Sequence, residues 1–341
     1  MLFDLTLVAK KLTVDILRIK PGEEVVITYD TESHEEVALA VAGSVHLIGG
    51  KPMLIKISAP SGVGKVADPE VPLRSLSAAL KECDVWIEFN EKWLLYSTAY
   101  EEAVKNESLR YICLVGMDPD MMKRTLNIDI KRLQMFMEEF TRRIKKSKNV
   151  RIRSKAGTDI CFENSPARPV ICDSGKADKP GIYMLPGQIS WTPIIESING
   201  TIVFDGSVVP PLGLLRSPIV LKVENGMIKG ISGGNQADVF RAWLESFNHP
   251  AMFRLAHISP GFNPGAKLTG NVLEDERIWG CTEWGIGYIG EDMIPDLMDI
   301  DQAPSHCDGV CLNSSIVVDG VELTHEGKIV DEELIKLSPV D

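Results

Sequence analysis

Strand and helix patterns alternate through the first third of the chain, and this alternation restricts the fold more than any other feature. Leu5, Val8, Leu12, Ile16 and Leu17 recur at helical spacing and stop before Pro21-Gly22. Residues 24–29 then read as a strand, followed by a helix that Thr31 or Ser33 can cap and that Gly49-Gly50 ends. The pattern repeats as strand 53–57, helix 73–81, strand 85–89, helix 97–104 and strand 111–115. Strands joined by short helical connections predict a mostly parallel sheet covered by helices on both faces.

The pattern changes after a long amphipathic helix marked by Ile130, Leu133, Met137, Phe140 and Ile144. From Val150 onward, short β runs are separated by Gly, Pro, Asn and Asp. Asn225-Gly226 and Asp319-Gly320 each sit between two apolar runs and predict type I′ hairpins. One helix, 237–247, interrupts them. A chain of 341 residues has room for two cores. We therefore expect an α/β domain over 1–148, ending in a linker helix, and an α+β domain rich in antiparallel strands over 149–341.

A net charge of −12 argues against nucleic acid or an anionic membrane as a partner, since either calls for a basic patch. The basic cluster Arg142, Arg143, Lys145, Lys146 and Lys148 lies at a predicted helix end, where cations favour the helix dipole. No apolar run reaches the ~18 residues that span a bilayer. The first residues lack the basic and apolar regions of a signal peptide. Seven scattered cysteines form no disulfide framework, so the cytoplasm is the expected compartment. Ser61-Gly-Val-Gly-Lys65 resembles a phosphate loop, but Ala59 and Val66 stand where that motif needs Gly and Ser or Thr.

Among the six histidines, His34, His46, His249 and His325 read as exposed or capping residues. The other two lie in Gly- and Pro-rich surroundings. His306 and Asp308 are two apart, and the apolar run 310–318 behind them reads as a strand, in which residues i and i+2 share a face. If His257 meets them, the set is two imidazoles and a carboxylate, the facial arrangement that holds non-haem Fe(II) with open positions. The alternative is a hydrogen-bonded surface pair. Cys307 and Cys311 invite a zinc reading, but Cys307 should point away from its neighbours on a strand, which favours a structural thiol.

Several segments resemble, in order, those of the aminopeptidase T family of metallopeptidases: Pro186-Gly-Gln188-Ile-Ser-Trp-Thr-Pro193, Gly200-Thr-Ile-Val-Phe-Asp205-Gly, His257-Ile-Ser-Pro-Gly-Phe-Asn-Pro264, Gly280-Cys-Thr-Glu283-Trp-Gly-Ile-Gly287 and His306-Cys-Asp308. That family holds two metal ions, with acids where this chain has Gln188 and His257 and a histidine where it has Glu283. These departures match the related ring-cleaving family, the 2,5-dihydroxypyridine 5,6-dioxygenases. That resemblance implies one Fe(II) held by His257, His306 and Asp308, with a small aromatic substrate and O2 as partners and N-formylmaleamate as product. It places Glu283 near the metal as a hydrogen-bonding partner or, as an alternative, a ligand.

Glu283, Tyr96 and Tyr288 are then the candidates for the base that removes the substrate proton. Gln188, Ser190, Trp191, Thr192 and Trp284 are candidate substrate contacts. The two tryptophans either stack on a flat ring or belong to the core. Both related families assemble, so a homo-oligomer is expected. The alternative activity is a metallo-aminopeptidase with a rearranged metal site.

Overall fold

The computed structural model describes residues 2–297 and 299–340. The chain divides into two compact units, Met1–Ile130 with Gly175–Pro186, and Lys131–Ser174 with Gly187–Asp341. This division does not follow the expected boundary at 148/149. The helix Ile130–Lys146 packs Phe136 and Phe140 against Phe262, with ring centroids 5.0 and 4.7 Å apart, and so lies with the second unit. The segment from Gly175 returns to the first.

The first unit is built on a five-stranded, all-parallel sheet. Its strands run in the order Lys51–Ile57, Glu24–Asp30, Val85–Glu88, Arg110–Cys113 and Gly181–Met184. Its central strands are apolar because both faces are covered, and Val25, Ile27, Val85, Ile87 and Ile112 are fully buried. The helices Glu35–Leu47, Leu73–Glu82 and Thr98–Ala103 fall where the alternation predicts them. Ser97 caps the last through its side chain.

The second unit is antiparallel and carries two main sheets. The larger runs Met227–Gly233, Ile219–Glu224, Asn199–Phe204, Asp159–Glu163, Asn149–Arg153, Ser315–Val318, Val321–His325 and Lys328–Ile329. Both predicted hairpins form, with positive φ at Asn225 (50°), Gly226 (73°), Asp319 (48°) and Gly320 (86°), as a type I′ turn requires. The smaller sheet runs Gly213–Leu214, Ser207–Val209, His306–Cys311, Thr282–Gly287 and Leu255–Pro260. Its back face meets the larger sheet, where the Phe204 ring fills the space over Gly309 and Trp284 stands edge-on to Phe162 at 5.7 Å. The run 310–318 is therefore two strands in two sheets. Asn313, at φ 49°, turns the chain between them. Among the described residues, no helix is long and apolar enough to cross a membrane.

Candidate metal centre

Three adjacent strands of the smaller sheet build the site by register. His257 on Leu255–Pro260 lies opposite Gly285 on Thr282–Gly287, and Gly285 lies opposite Asp308 on His306–Cys311. His306 lies two residues from Asp308 on the same face, opposite Gly287. The outer strands of this row are two strand spacings apart, roughly 9.6 Å. Side chains can close that gap only if the middle position is empty. A Cβ at Gly285 would fall 2.4 Å from His257 Cε1, so the imidazole lies directly across the glycine.

The result is a compact cluster. One donor atom from each of His257, His306 and Asp308 lies within 4.8 Å of the other two. The rings stack with centroids 5.2 Å apart. His306 Nε2 is 2.9 Å from Asp308 Oδ1, and His257 Nε2 is 3.7 Å from the same oxygen. His306 Nδ1 is 2.8 Å from the Tyr288 carbonyl oxygen, which can only accept, so Nδ1 carries a proton and Nε2 faces the cluster. Glu283, two residues from Gly285 on the same face, brings Oε2 to 3.1 Å from His257 Nε2. Its side chain is wholly buried, and among the described residues Oε1 has no hydrogen-bond partner.

The electrostatics follow from burial and crowding. Burial holds His257 below the usual histidine range, so its imidazole is neutral. Burial also opposes charge on His306 and Asp308, but their mutual attraction outweighs it, raising the histidine and lowering the aspartate. Burial pushes Glu283 well above the carboxylate range, and Asp308 pushes it further. Glu276 is raised for the same two reasons. Two imidazole nitrogens and a carboxylate oxygen converging from one side, beside an unpaired buried carboxylate oxygen, suit a divalent first-row metal with open positions, Fe(II) included.

A family model for NicX, 2,5-dihydroxypyridine 5,6-dioxygenase, matches residues 6–331. The chain belongs to the NicX family. A 2,5-dihydroxypyridine 5,6-dioxygenase of Pseudomonas putida KT2440 is 28% identical over 250 residues, spanning 70% of this chain and 69% of the relative. Among solved structures, the 2,5-dihydroxypyridine dioxygenase of that bacterium superposes with a TM-score of 0.78 at 22% identity, covering 98% of this chain and 99% of its own. AmpT from Thermus thermophilus superposes with a TM-score of 0.67 at 14% identity, covering 96% and 99%. At these identities the structural likenesses speak for the fold, and they agree with the two-part class read from the sequence.

Within this NicX-family site, the structure sorts the residues singled out from the sequence. His257, His306, Asp308 and Glu283 come together. Gln188 is buried and donates from Nε2 to Glu276 Oε2 at 3.0 Å. Ser190 accepts from Ser259 Oγ at 2.9 Å. Tyr288 reaches the cluster through its carbonyl, while its side chain is 40% exposed. Tyr96 belongs to the first unit.

The expected ring contacts from tryptophan are not where the structure puts these side chains. Trp284 follows Glu283 by one residue, so it points to the opposite sheet face and is fully buried. Trp191 is buried against Phe162, its Nε1 donating to Asn164 Oδ1 at 2.8 Å. Thr192 is fully buried, and its hydroxyl has no partner among the described residues. Glu276 and Arg277 were not singled out. Among the acids Glu274, Asp275 and Glu276, the sequence gives no parity that separates the one that Gln188 reaches.

Proposed function

We propose that this chain is an Fe(II)-dependent, extradiol-like ring-cleaving dioxygenase. Its substrate would be a hydroxylated pyridine such as 2,5-dihydroxypyridine, and its product N-formylmaleamate. The observation that carries the reading is the convergence of His257, His306 and Asp308 on one sheet face, within a chain of the NicX family. Bound Fe(II) would supply positions for the ring oxygen and O2 side by side and a route for electron density between them.

The residues prepare that encounter. The Tyr288 carbonyl fixes the His306 tautomer, burial keeps His257 neutral, and Asp308 supplies the negative charge of the triad. Holding both reactants in place removes much of the entropy cost of their meeting. Glu283 is the base candidate that the second unit itself brings to the cluster. Burial and Asp308 favour its protonated form, a dication at the triad would favour its ionised form, and Oε1 would then accept a substrate hydroxyl proton. The product is the ring compound plus both atoms of O2, so no reducing cosubstrate enters. The free cysteines, most of them buried, support a reducing cytoplasm as the setting.

The experiment is ultraviolet-monitored turnover of 2,5-dihydroxypyridine by ferrous-loaded protein, in air and without it. Loss of the ring absorbance in air alone is expected. Hydrolysis of aminoacyl substrates without O2, with the pyridine untouched, would return the chain to the peptidase reading.

A further inference from the structure

Beside the triad, one carboxylate is aimed by two donors and left open on its other side. Glu276 Oε2 accepts from Gln188 Nε2 at 3.0 Å and from Arg277 Nη1 at 3.1 Å. Both donors are themselves fixed. Arg277 is fully buried and donates from the same nitrogen to the Leu273 carbonyl at 2.7 Å. Gln188 sits on a short strand, paired with Asp173 on one side and bridged to Gly261 on the other. Two donors on one oxygen leave the carboxylate little freedom to turn. No described group donates to Glu276 Oε1, and 14% of the side chain is exposed. A Cβ at Gly261, the residue that follows the strand of His257 and to which Gln188 is bridged, would fall 2.7 Å from the Glu276 carbonyl oxygen, and the charges of Asp308, Arg277, Glu283 and His257 act on the Glu276 side chain.

Burial and Asp308 raise Glu276, but a dication held at the triad would favour its charged form, and the carboxylate so ionised is acceptor-only, so its open oxygen asks for a donor from the ligand. A 2-hydroxypyridine ring offers one edge that fits, the 2-hydroxyl or, in the pyridone tautomer, the ring N–H. We propose that Glu276, aimed by Gln188 and Arg277, receives this donor edge of the substrate and so selects rings that carry it alongside a metal-coordinating hydroxyl. The proposal rests on the dioxygenase reading and adds to it a residue that orients and discriminates the substrate. A hydrogen bond to a charged group contributes ~1.5–3 kcal/mol, equivalent to roughly 10- to 150-fold in affinity.

The test compares 2,5-dihydroxypyridine with phenol, which keeps the coordinating hydroxyl but has only C–H groups in place of the donor edge. Binding of each to Fe(II)-loaded protein is measured without O2 by ultraviolet difference titration, for the native chain, Glu276→Gln and Gln188→Ala, with iron content checked in each. The native chain should prefer the dihydroxypyridine. Glu276→Gln should lose roughly 10- to 100-fold of that preference while retaining iron, and Gln188→Ala should lose a smaller part. Gln188→Ala keeps the question open to refutation if Glu276→Gln folds poorly, because it leaves the carboxylate in place and removes only one of its guides. An unchanged preference in both variants overturns the role of Glu276 and leaves the dioxygenase reading standing. A native chain that binds neither compound overturns both.

Discussion

Each unit of the molecule buries a glutamate on a strand, and the two are treated in opposite ways. In the first unit Glu88 is wholly buried, and both of its oxygens are bonded, one by the Tyr111 hydroxyl and the other by the Leu94 N–H. Nearby Asp30 is saturated too, accepting from Glu32 N, Ser33 N, Ser33 Oγ and Lys92 N. In the second unit Glu283 is as deeply buried, yet among the described residues Oε1 has no partner, and Oε2 lies 3.1 Å from a histidine that Asp308 also approaches. An unmet buried acceptor costs ~1–3 kcal/mol, so folds usually fill it. A polar cluster saturated by its own chain serves the fold. One left unmet beside two imidazoles is arranged for something the chain does not supply.

That contrast can be attacked by ranking variants on retained metal. Asp308→Ala should be the most damaging, because it leaves a dication held by two neutral imidazoles. Iron measured by atomic emission after dialysis should fall to background. Gly285→Ala should come next, since its Cβ would fall 2.4 Å from His257 Cε1 and push the ring off the row. Adding it to a His257→Ala background should cost little more in unfolding free energy, because the clashing ring is gone. A large extra cost there would place the strain elsewhere.

Glu283→Gln should rank third, weakening iron binding by ~10–100-fold, as changes beside a metal's ligands typically do. Loss equal to that of Asp308→Ala would make Glu283 a ligand. Glu88→Gln should leave iron untouched and act on folding alone. Burial raises Glu88 to about 7 in the folded chain. A raised carboxyl favours the fold while protonated, so this contribution is complete below the unfolded value, about 4.5, and is lost as pH rises through about 7, costing up to about 3 kcal/mol. Denaturant unfolding between pH 5 and 8 should show that fall in the native chain and a shallower one in Glu88→Gln.

The sequence disclosed what depends on local pattern. Strand and helix alternation announced the parallel sheet, and the two Asx-Gly pairs announced their hairpins. His306 and Asp308 could be placed on one face from their spacing alone. What depends on pairing between distant strands was hidden. Nothing near Gly285 in the sequence says that it will lie between His257 and Asp308, because register is decided by three strands separated by loops. The fifth strand of the first sheet, Gly181–Met184, was missed for the same reason, since its partner lies about seventy residues earlier. Trp284 carried a usable signal: once Glu283 is assigned to the site face, period two turns its neighbour away.

The most direct measurement follows the oxygen. Ferrous-loaded protein is given 2,5-dihydroxypyridine under labelled O2 in unlabelled water, and the ring-opened product is weighed at early times, before its carboxylate and formyl oxygens exchange. A site that holds ring and O2 together should place both labelled atoms in one product molecule, with no added reductant. Product carrying only solvent oxygen, or turnover under strict anaerobiosis, would contradict that account.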